Sequence, residues 1–283
     1  MDAIMQWFVA PLQYEFMVKA VLVSGFVGLV CAVLSCYMTL KGWALMGDAV
    51  SHSVTPGVVL AYILNLPFAL GAFVFGVGSV LAIGFIQSKT RIKEDTVIGL
   101  VFTGFFALGL VLISKNPSNV DLMHILFGNV LGIPNRDVIQ TLLIGSITLI
   151  AVAVLRKDLL LFCFDPTHAR SIGLNTTALY YILLTLLSLT IVVALQAVGI
   201  ILVIAMLITP GAIAYLLSDR FDHMMIFAMI AGVVSSILGT YFSYHLDAST
   251  GGCIVLLQTV LFIITMIFAP KHGLLVRMRS EAA

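Results

Sequence analysis

Long apolar runs, separated by short polar punctuation, make up most of the chain. Nine stand out, at about 16–39, 44–64, 69–87, 96–114, 137–155, 178–196, 199–217, 224–246 and 251–269. Each is close to the ~20 residues that a helix needs to cross the hydrocarbon core of a bilayer. A further stretch, "LMHILFGNVLGI" (122–133), is apolar but too short to span, and reads as a re-entrant or interfacial helix. The pattern predicts an all-α, polytopic transmembrane helical bundle of eight or nine spans. The count turns on whether the first two runs cross separately.

Composition agrees. The 283 residues are 61% hydrophobic and 10% charged, whereas a soluble domain is about a quarter charged. No segment is polar enough for a soluble domain, so residues 1–283 are expected to form a single transmembrane unit in contact with membrane lipid. A net charge of +1 gives no reason to expect nucleic acid as a partner. The opening "MDAIMQWFVAPLQYEF" has neither a basic start nor a small-residue cleavage site, so no cleavable signal peptide is expected. Cys31, Cys36, Cys163 and Cys253 are scattered without metal-knuckle spacing and read as packing residues.

Loop charges orient the chain. Lys89, Arg91 and Lys93, then Arg156, Lys157 and Arg170, then Lys271, Arg277 and Arg279 fall in three connections or ends that should be cytoplasmic. The connections at 65–68, 197–198 and 247–250 carry no Lys or Arg, which suits the outer side. The longest polar connection is Arg156 to Ala178. Within it "DPTHARSIGL" predicts a short helix, capped by Asp165, with Pro166 in its first turn and Gly173 at its end. With Arg170 exposed, it reads either as a docking element for a cytoplasmic partner or as an ordinary interfacial helix.

Several chemistries lack their marks. The chain has no G-x-x-x-x-G-K-[ST] phosphate loop, so it should not hydrolyse ATP by itself. It also lacks a G-x-S-x-G elbow, an H-E-x-x-H zinc helix, voltage-sensor arginine spacing and a T-V-G-Y-G filter. None of the usual marks of a membrane-embedded enzyme is present, although these absences alone do not exclude one, and the expectation is a transport subunit and not an enzyme.

Against this background "LMGDAVSHSVTPGV" (45–58) is anomalous. Asp48 and His52, four residues apart, share one helix face. Ionisable groups within spans are costly and usually face a cavity or a partner. Three readings are open: a ligand pair, a structural Asp–His tie between helices, or Asp48 as the cap of a helix starting at Ala49. As ligands, one carboxylate and one imidazole suit manganese, ferrous iron or zinc. Two donors are too few, and a symmetric dimer would bring four. Pro56 cannot donate to the His52 carbonyl and so loosens the helix beside the imidazole. Ser51, Ser53 and Thr55 offer further oxygens.

"TPGVVLAYIL" (55–64) is echoed by "TPGAIAYLL" (209–217), with Pro210 removing the donor for the Met206 carbonyl as Pro56 does for His52. Paired broken helices point to a transport path, so Pro56 and Pro210 are expected as hinges lining it. Gln196, His124, His245 and Asp247 fall near helix ends and read as boundary residues, His168 and His223 as cytoplasmic, and His272 as part of the tail.

"MGDAVSHSVTPGVVLAY", "HILFGNVLG", "FDPTHARSIGLN" and "LQAVGIILVIAMLITPGAIAYLL", in this order over about residues 15–272, resemble the permease subunit of bacterial ABC importers for manganese, iron and zinc. The wording is nearer the manganese/iron branch than the zinc-uptake branch. The resemblance implies an ABC importer permease fold in the bacterial cytoplasmic (inner) membrane. It also implies a second permease subunit, identical or paralogous, two separate ATP-binding subunits, and an extracytoplasmic metal-binding protein. It places metal contacts at Asp48 and His52. The coupling helix falls at 165–175, with Asp165, Pro166, His168, Arg170 and Gly173. The competing expectation is an ion-coupled carrier that works without an ATPase.

Overall fold

The computed structural model describes residues 10–115, 132–270 and 273–274, and among these every regular element is helical. The stretch at 122–133, with His124, lies outside the described residues except for its last two positions, as does His272. After a 3₁₀ turn (Ala10–Gln13) the helices are α1 (Glu15–Lys41), α2 (Met46–Ser53), α3 (Thr55–Ile63), α4 (Phe68–Lys89), α5 (Glu94–Lys115) and α6 (Asn135–Val154). Then come α7 (Arg156–Phe164), α8 (Pro166–Ser171), α9 (Thr176–Val198), α10 (Ile200–Leu217), α11 (Phe221–Leu246) and α12 (Thr250–Phe268).

Eight of these helices are long and apolar enough to cross a membrane. The ninth apolar run, 44–64, is two short helices. Contacts at the two faces of the bundle show that the pair crosses as well. On one face Lys41 Nζ lies 4.5 Å from the ring centre of Phe162, Trp43 meets Tyr180 edge-on at 5.4 Å, and the Tyr180 hydroxyl donates to Gln87 Oε1. Arg156 pairs with Asp222 there too. This face holds the ends of α1 and α4, the starts of α9 and α11, and α7, together with the basic loops, and is therefore cytoplasmic. On the other face Tyr14 packs against Tyr244, and Lys19 donates to Asn135 Oδ1 at 2.6 Å. Since α4 runs from the outer face to Lys89, its antiparallel partner α3 must end outside. Hence α2 and α3 together make one broken crossing. Among the described residues the eight long helices and this pair then make nine crossings, and α1 starts on the outer face.

In lipid, apolar burial cannot drive one helix onto another, and small residues that allow close approach take over. The most extensive contacts, α1 with α11 and with α10, follow this rule. A Cβ at Gly28 would lie 2.8 Å from the Gly232 carbonyl, and one at Gly232 would lie 2.7 Å from that of Gly28. A Cβ at Gly57 would strike the Gly71 carbonyl, and the converse holds, so α3 and α4 touch backbone to backbone. Buried hydroxyls tie α11 to its neighbours: Ser24 of α1 to Thr240 at 3.0 Å, and, between α11 and α12, Ser243 to Thr250 at 3.0 Å and Gln258 Nε2 to Ser235 at 3.1 Å. The most deeply buried spans are α1 and α9, while α5, α6 and α12 lie at the periphery.

Candidate metal pathway

Helix α2 begins at Met46 after a tight link. Gly42, at φ +75°, closes α1 and donates back to Met38 and Thr39, and the buried Trp43 anchors the turn. The residue before α2, Leu45, is in αR conformation, and no side chain caps the helix. Asp48 is therefore the third residue of α2 and not its cap, which corrects the boundary-cap reading. A boundary cap would sit in β or extended backbone with its oxygen on a free N–H.

Met46, Gly47, Ala49, Val50, Ser51 and Ser53 are buried, and Leu207 of α10 packs on Gly47. Asp48 and His52 are the exceptions, with side chains 39% and 28% exposed. His52 Nε2 lies 3.4 Å from Asp48 Oδ1, an ion-pair distance longer than a good hydrogen bond. The imidazole is walled by α5, with the ring centres of Phe102 and Phe106 at 5.4 and 5.3 Å, both edge-on. One turn further on, Gly109 leaves room for Thr55 and Pro56, which a Cβ there would meet at 3.0 and 3.2 Å. So α5 runs beside α2–α3 in parallel register. It covers the outer part of the pair's face and leaves Asp48 the most open.

The helix breaks where Pro56 predicts. Regular helix is interrupted at Val54, yet Val54 keeps helical dihedrals (φ −69°, ψ −27°), and its N–H bonds the Val50 carbonyl at 3.2 Å. The angular register of α2 thus carries into α3. Three hydroxyls around the break, Ser53, Thr55 and Ser188, are buried and make no hydrogen bond. Ser51 differs, donating to the Gly47 carbonyl at 2.7 Å.

Pro210 behaves differently. Helix α10 runs through it without interruption. The Ser35 hydroxyl of α1 accepts from Gly211 N–H at 2.9 Å and donates to the Ile208 carbonyl at 3.2 Å, bracketing the proline. Pro210 is buried.

At the cytoplasmic face the predicted short helix is α8. Asp165 Oδ1 accepts from the N–H groups of Thr167 and His168, both at 2.9 Å. Pro166 is its first residue, and Gly173 takes φ +90° just beyond it. Ala169 is buried beneath. His168 and Arg170 are exposed, with Phe164 and Ile172 beside them at 78% and 56% exposure. Arg170 Nε donates to Thr176 Oγ1 at 2.8 Å, which fixes its root. Behind α8 lies a polar hollow of about 290 Å³ lined by Lys41, Glu94, Arg170 and Tyr180.

The remaining candidates stay at helix ends. Gln196 is partly buried near the end of α9, His223 is exposed in the first turn of α11, and Asp247 closes α11 at φ +49°. His245 packs against Tyr241 and Tyr244. Among the described residues no three His, Cys, Asp or Glu side chains converge on a point. Asp48 and His52 thus stand as a pair, with no further His, Cys, Asp or Glu beside them among the described residues. Sequence reasoning missed the walls of the site, Phe102 and Phe106. Their i, i+4 spacing in "FTGFF" was visible, but nothing in the letters tied them to His52.

The family model described as the ABC 3 transport family matches residues 13–269. The chain belongs to the ABC 3 transport family. It is 69% identical over 269 residues to the manganese transport system membrane protein MntB of Synechocystis sp., an alignment covering 95% of this chain and 88% of the relative. It is 52% identical to the chelated iron transport system membrane protein YfeD of Yersinia pestis, over 91% of this chain and 87% of that one. Among solved structures, PsaBC from Streptococcus pneumoniae in complex with Fab superposes with a TM-score of 0.85 at 38% identity, covering 98% of this chain and 100% of that chain. An inward-facing putative metal-chelate type ABC transporter shares the fold, with a TM-score of 0.66 at 16% identity, over 86% of this chain and 84% of that chain. As an ABC 3 permease the chain is a multi-pass membrane subunit and not an enzyme, and ATP hydrolysis belongs to a separate subunit.

Proposed function

We propose that this permease carries divalent manganese or ferrous iron inward, and that Asp48 and His52 contact the ion in transit. The observation behind this is the pair itself: a carboxylate and an imidazole 3.4 Å apart, partly open, on a helix whose other side chains are packed away. Buried charge without a partner is expensive, and in spans it marks ion paths. The manganese and chelated-iron names of its relatives support the choice of cargo. The donors also accept zinc, which the Irving–Williams trend places above manganese. Discrimination then rests on the delivering protein or on additional oxygen donors.

Two permease subunits, identical or paralogous, face each other so that each contributes an Asp48 and a His52. Two ATP-binding subunits dock on α8, where Arg170, His168, Phe164 and Ile172 form a mixed cationic and apolar surface on a capped, rigid turn. An extracytoplasmic binding protein supplies the ion. Pro56 serves as a hinge of the pathway, and Pro210 as a clamped joint beside it.

Replacing Asp48 or His52 by Ala tests the assignment. In cells lacking other importers, manganese uptake should fall to background while the permease stays in the membrane at normal abundance. Undiminished uptake would remove both residues from the path.

A further inference from the structure

The hollow of about 290 Å³ behind α8 is walled by side chains from the ends of several spans. Among its described lining residues Glu94 is the one carboxylate, and the cations are Lys41 and Arg170. The two cations differ in freedom. Lys41 Nζ sits over the Phe162 ring at 4.5 Å. Arg170 is held only at its root, through Nε on Thr176, which leaves both terminal nitrogens of the guanidinium fork for a carboxylate. Glu94 forms no ion pair among the described residues, so it faces Arg170 across the hollow and does not touch it.

Glu94 is the first residue of α5 and is partly buried, whereas Asp95 in the same turn is exposed. The helix dipole favours any carboxylate at this end and accounts for both residues. It does not account for one of them being turned inward. Val97, Ile98 and Val101 are buried at helical spacing from Glu94, so the carboxylate heads the stripe by which α5 is packed into the bundle. From there the helix runs unbroken to Lys115. Phe102 and Phe106, the walls of His52, lie about 12 and 18 Å along its axis from Glu94.

The packing gives α8 no other short route to that wall. Helix α8 rests on α7 and on the start of α9, and no extensive contact joins it to α5. Helix α5 packs along α2, α3 and α4. The hollow is where α8 and α5 come near, and there each presents a long charged side chain of opposite sign.

We propose that Glu94 is a positioning residue for coupling: when an ATP-binding subunit moves α8, the attraction between Arg170 and Glu94 carries the movement into α5, which shifts the Phe102–Phe106 wall beside His52. This rests on the reading of α8 as the docking helix and of His52 as part of the metal path. Glu94 touches neither the ion nor the ATP-binding subunit. Its loss should therefore separate ATP hydrolysis from transport and leave assembly intact.

Glu94→Gln keeps the shape and removes the charge. The full transporter, with its ATP-binding subunits, is reconstituted in proteoliposomes, and manganese uptake and ATP hydrolysis are measured on the same vesicles. Manganese moved per ATP hydrolysed should fall several-fold in Glu94→Gln, while binding of the ATP-binding subunit stays native. Glu94→Asp, which keeps the charge, should retain most of the coupling. Asp95→Asn, which removes the exposed charge of the same helix turn, should leave it unchanged. If the glutamine protein assembles poorly, Glu94→Met, uncharged and of similar length, carries the same expectation. A native ratio of uptake to hydrolysis in Glu94→Gln would overturn the proposal. So would a drop in Asp95→Asn equal to that in Glu94→Gln, since the helix dipole would then explain both. If Asp165→Ala and Arg170→Ala leave binding of the ATP-binding subunit unchanged, the reading of α8 itself fails and the link falls with it.

Discussion

Ser35 Oγ accepts a hydrogen bond from the backbone nitrogen of Gly211 at 2.9 Å, across the interface between α1 and α10. The same oxygen donates to the Ile208 carbonyl, so one hydroxyl bridges the backbone on both sides of Pro210. Helix-breaking residues are tolerated in lipid only where something re-satisfies the freed backbone. Here a neighbouring helix does so, and it can approach because Gly211 has no side chain: a Cβ there would lie 2.5 Å from both Ser35 Oγ and Thr39 Oγ1. Through Leu207 on Gly47 the clamp also reaches the helix that carries Asp48.

Ser35→Ala leaves the Gly211 N–H without its outside partner in a site that water cannot reach. The loss should be about 1–3 kcal/mol, read as a lower unfolding temperature of the purified permease in detergent. Adding Pro210→Ala gives α10 back a donor for the Met206 carbonyl. The double variant should then be less impaired than the two single effects summed. Strict additivity would mean that Ser35 acts elsewhere than at the proline.

Among the described glycines, Gly57 and Gly71 make the tightest approach, backbone against backbone between α3 and α4. Either one changed to Ala must push the helices apart, at a cost of about 1–3 kcal/mol for an overpacked interface. Gly78 and Gly104 have nothing within 4 Å of an added Cβ. Alanine there removes backbone freedom only, and should be neutral or slightly stabilising. Melting temperatures of the four single variants, measured side by side, check the ordering.

The span pattern was legible because lipid imposes one rule on every residue, and eight of nine runs fold as single helices near their expected bounds. The short cytoplasmic helix was legible for the same kind of reason: Asp165, Pro166 and Gly173 each carry a local backbone preference that needs no tertiary help. The two Thr-Pro-Gly stretches show where local reading stops. Identical letters give a split helix at Pro56 and a continuous one at Pro210. The difference lies in Ser35, 175 positions before Pro210, and in the absence of such a clamp at Thr55. Asp48 as a helix cap was likewise a sound local reading. It fails because Gly42 and the buried Trp43 fix the start of α2 two residues ahead of Asp48.

The cap of α8 separates folding from coupling. Asp165→Ala removes two N–H partners, at a cost of roughly 1 kcal/mol. That is too little to unfold the membrane bundle, but enough to loosen a six-residue helix. Metal binding by the permease should be unaffected, while ATP-driven uptake should fall several-fold. Arg170→Ala should do the same by removing the exposed cation. Binding of the purified ATP-binding subunit to permease in nanodiscs provides the check, with both variants weaker than native.

Cys163 tests whether α7 is a docked element or a loose strap. It lies on the cytoplasmic side in a helix that carries Arg156, Lys157 and Asp158 at its start, where a thiol on a loose strap would be freely accessible. Instead it is 5% exposed, packed in the main core cluster with Phe162 and Leu159. Burial pushes its thiol up to about 12, and the nearby Lys41 ammonium, which favours the thiolate, offsets only part of this. The attacking form in alkylation is the thiolate, so at pH 8 Cys163 stays protonated as well as covered. In inside-out vesicles a water-soluble maleimide should leave Cys163 unlabelled, and raising the pH to 9 should change little. Labelling should appear together with global unfolding in detergent. Rapid modification of Cys163 at pH 8 in the folded protein would mean that α7 lifts from the bundle in solution. The docking surface proposed for α8 would then lack a rigid base.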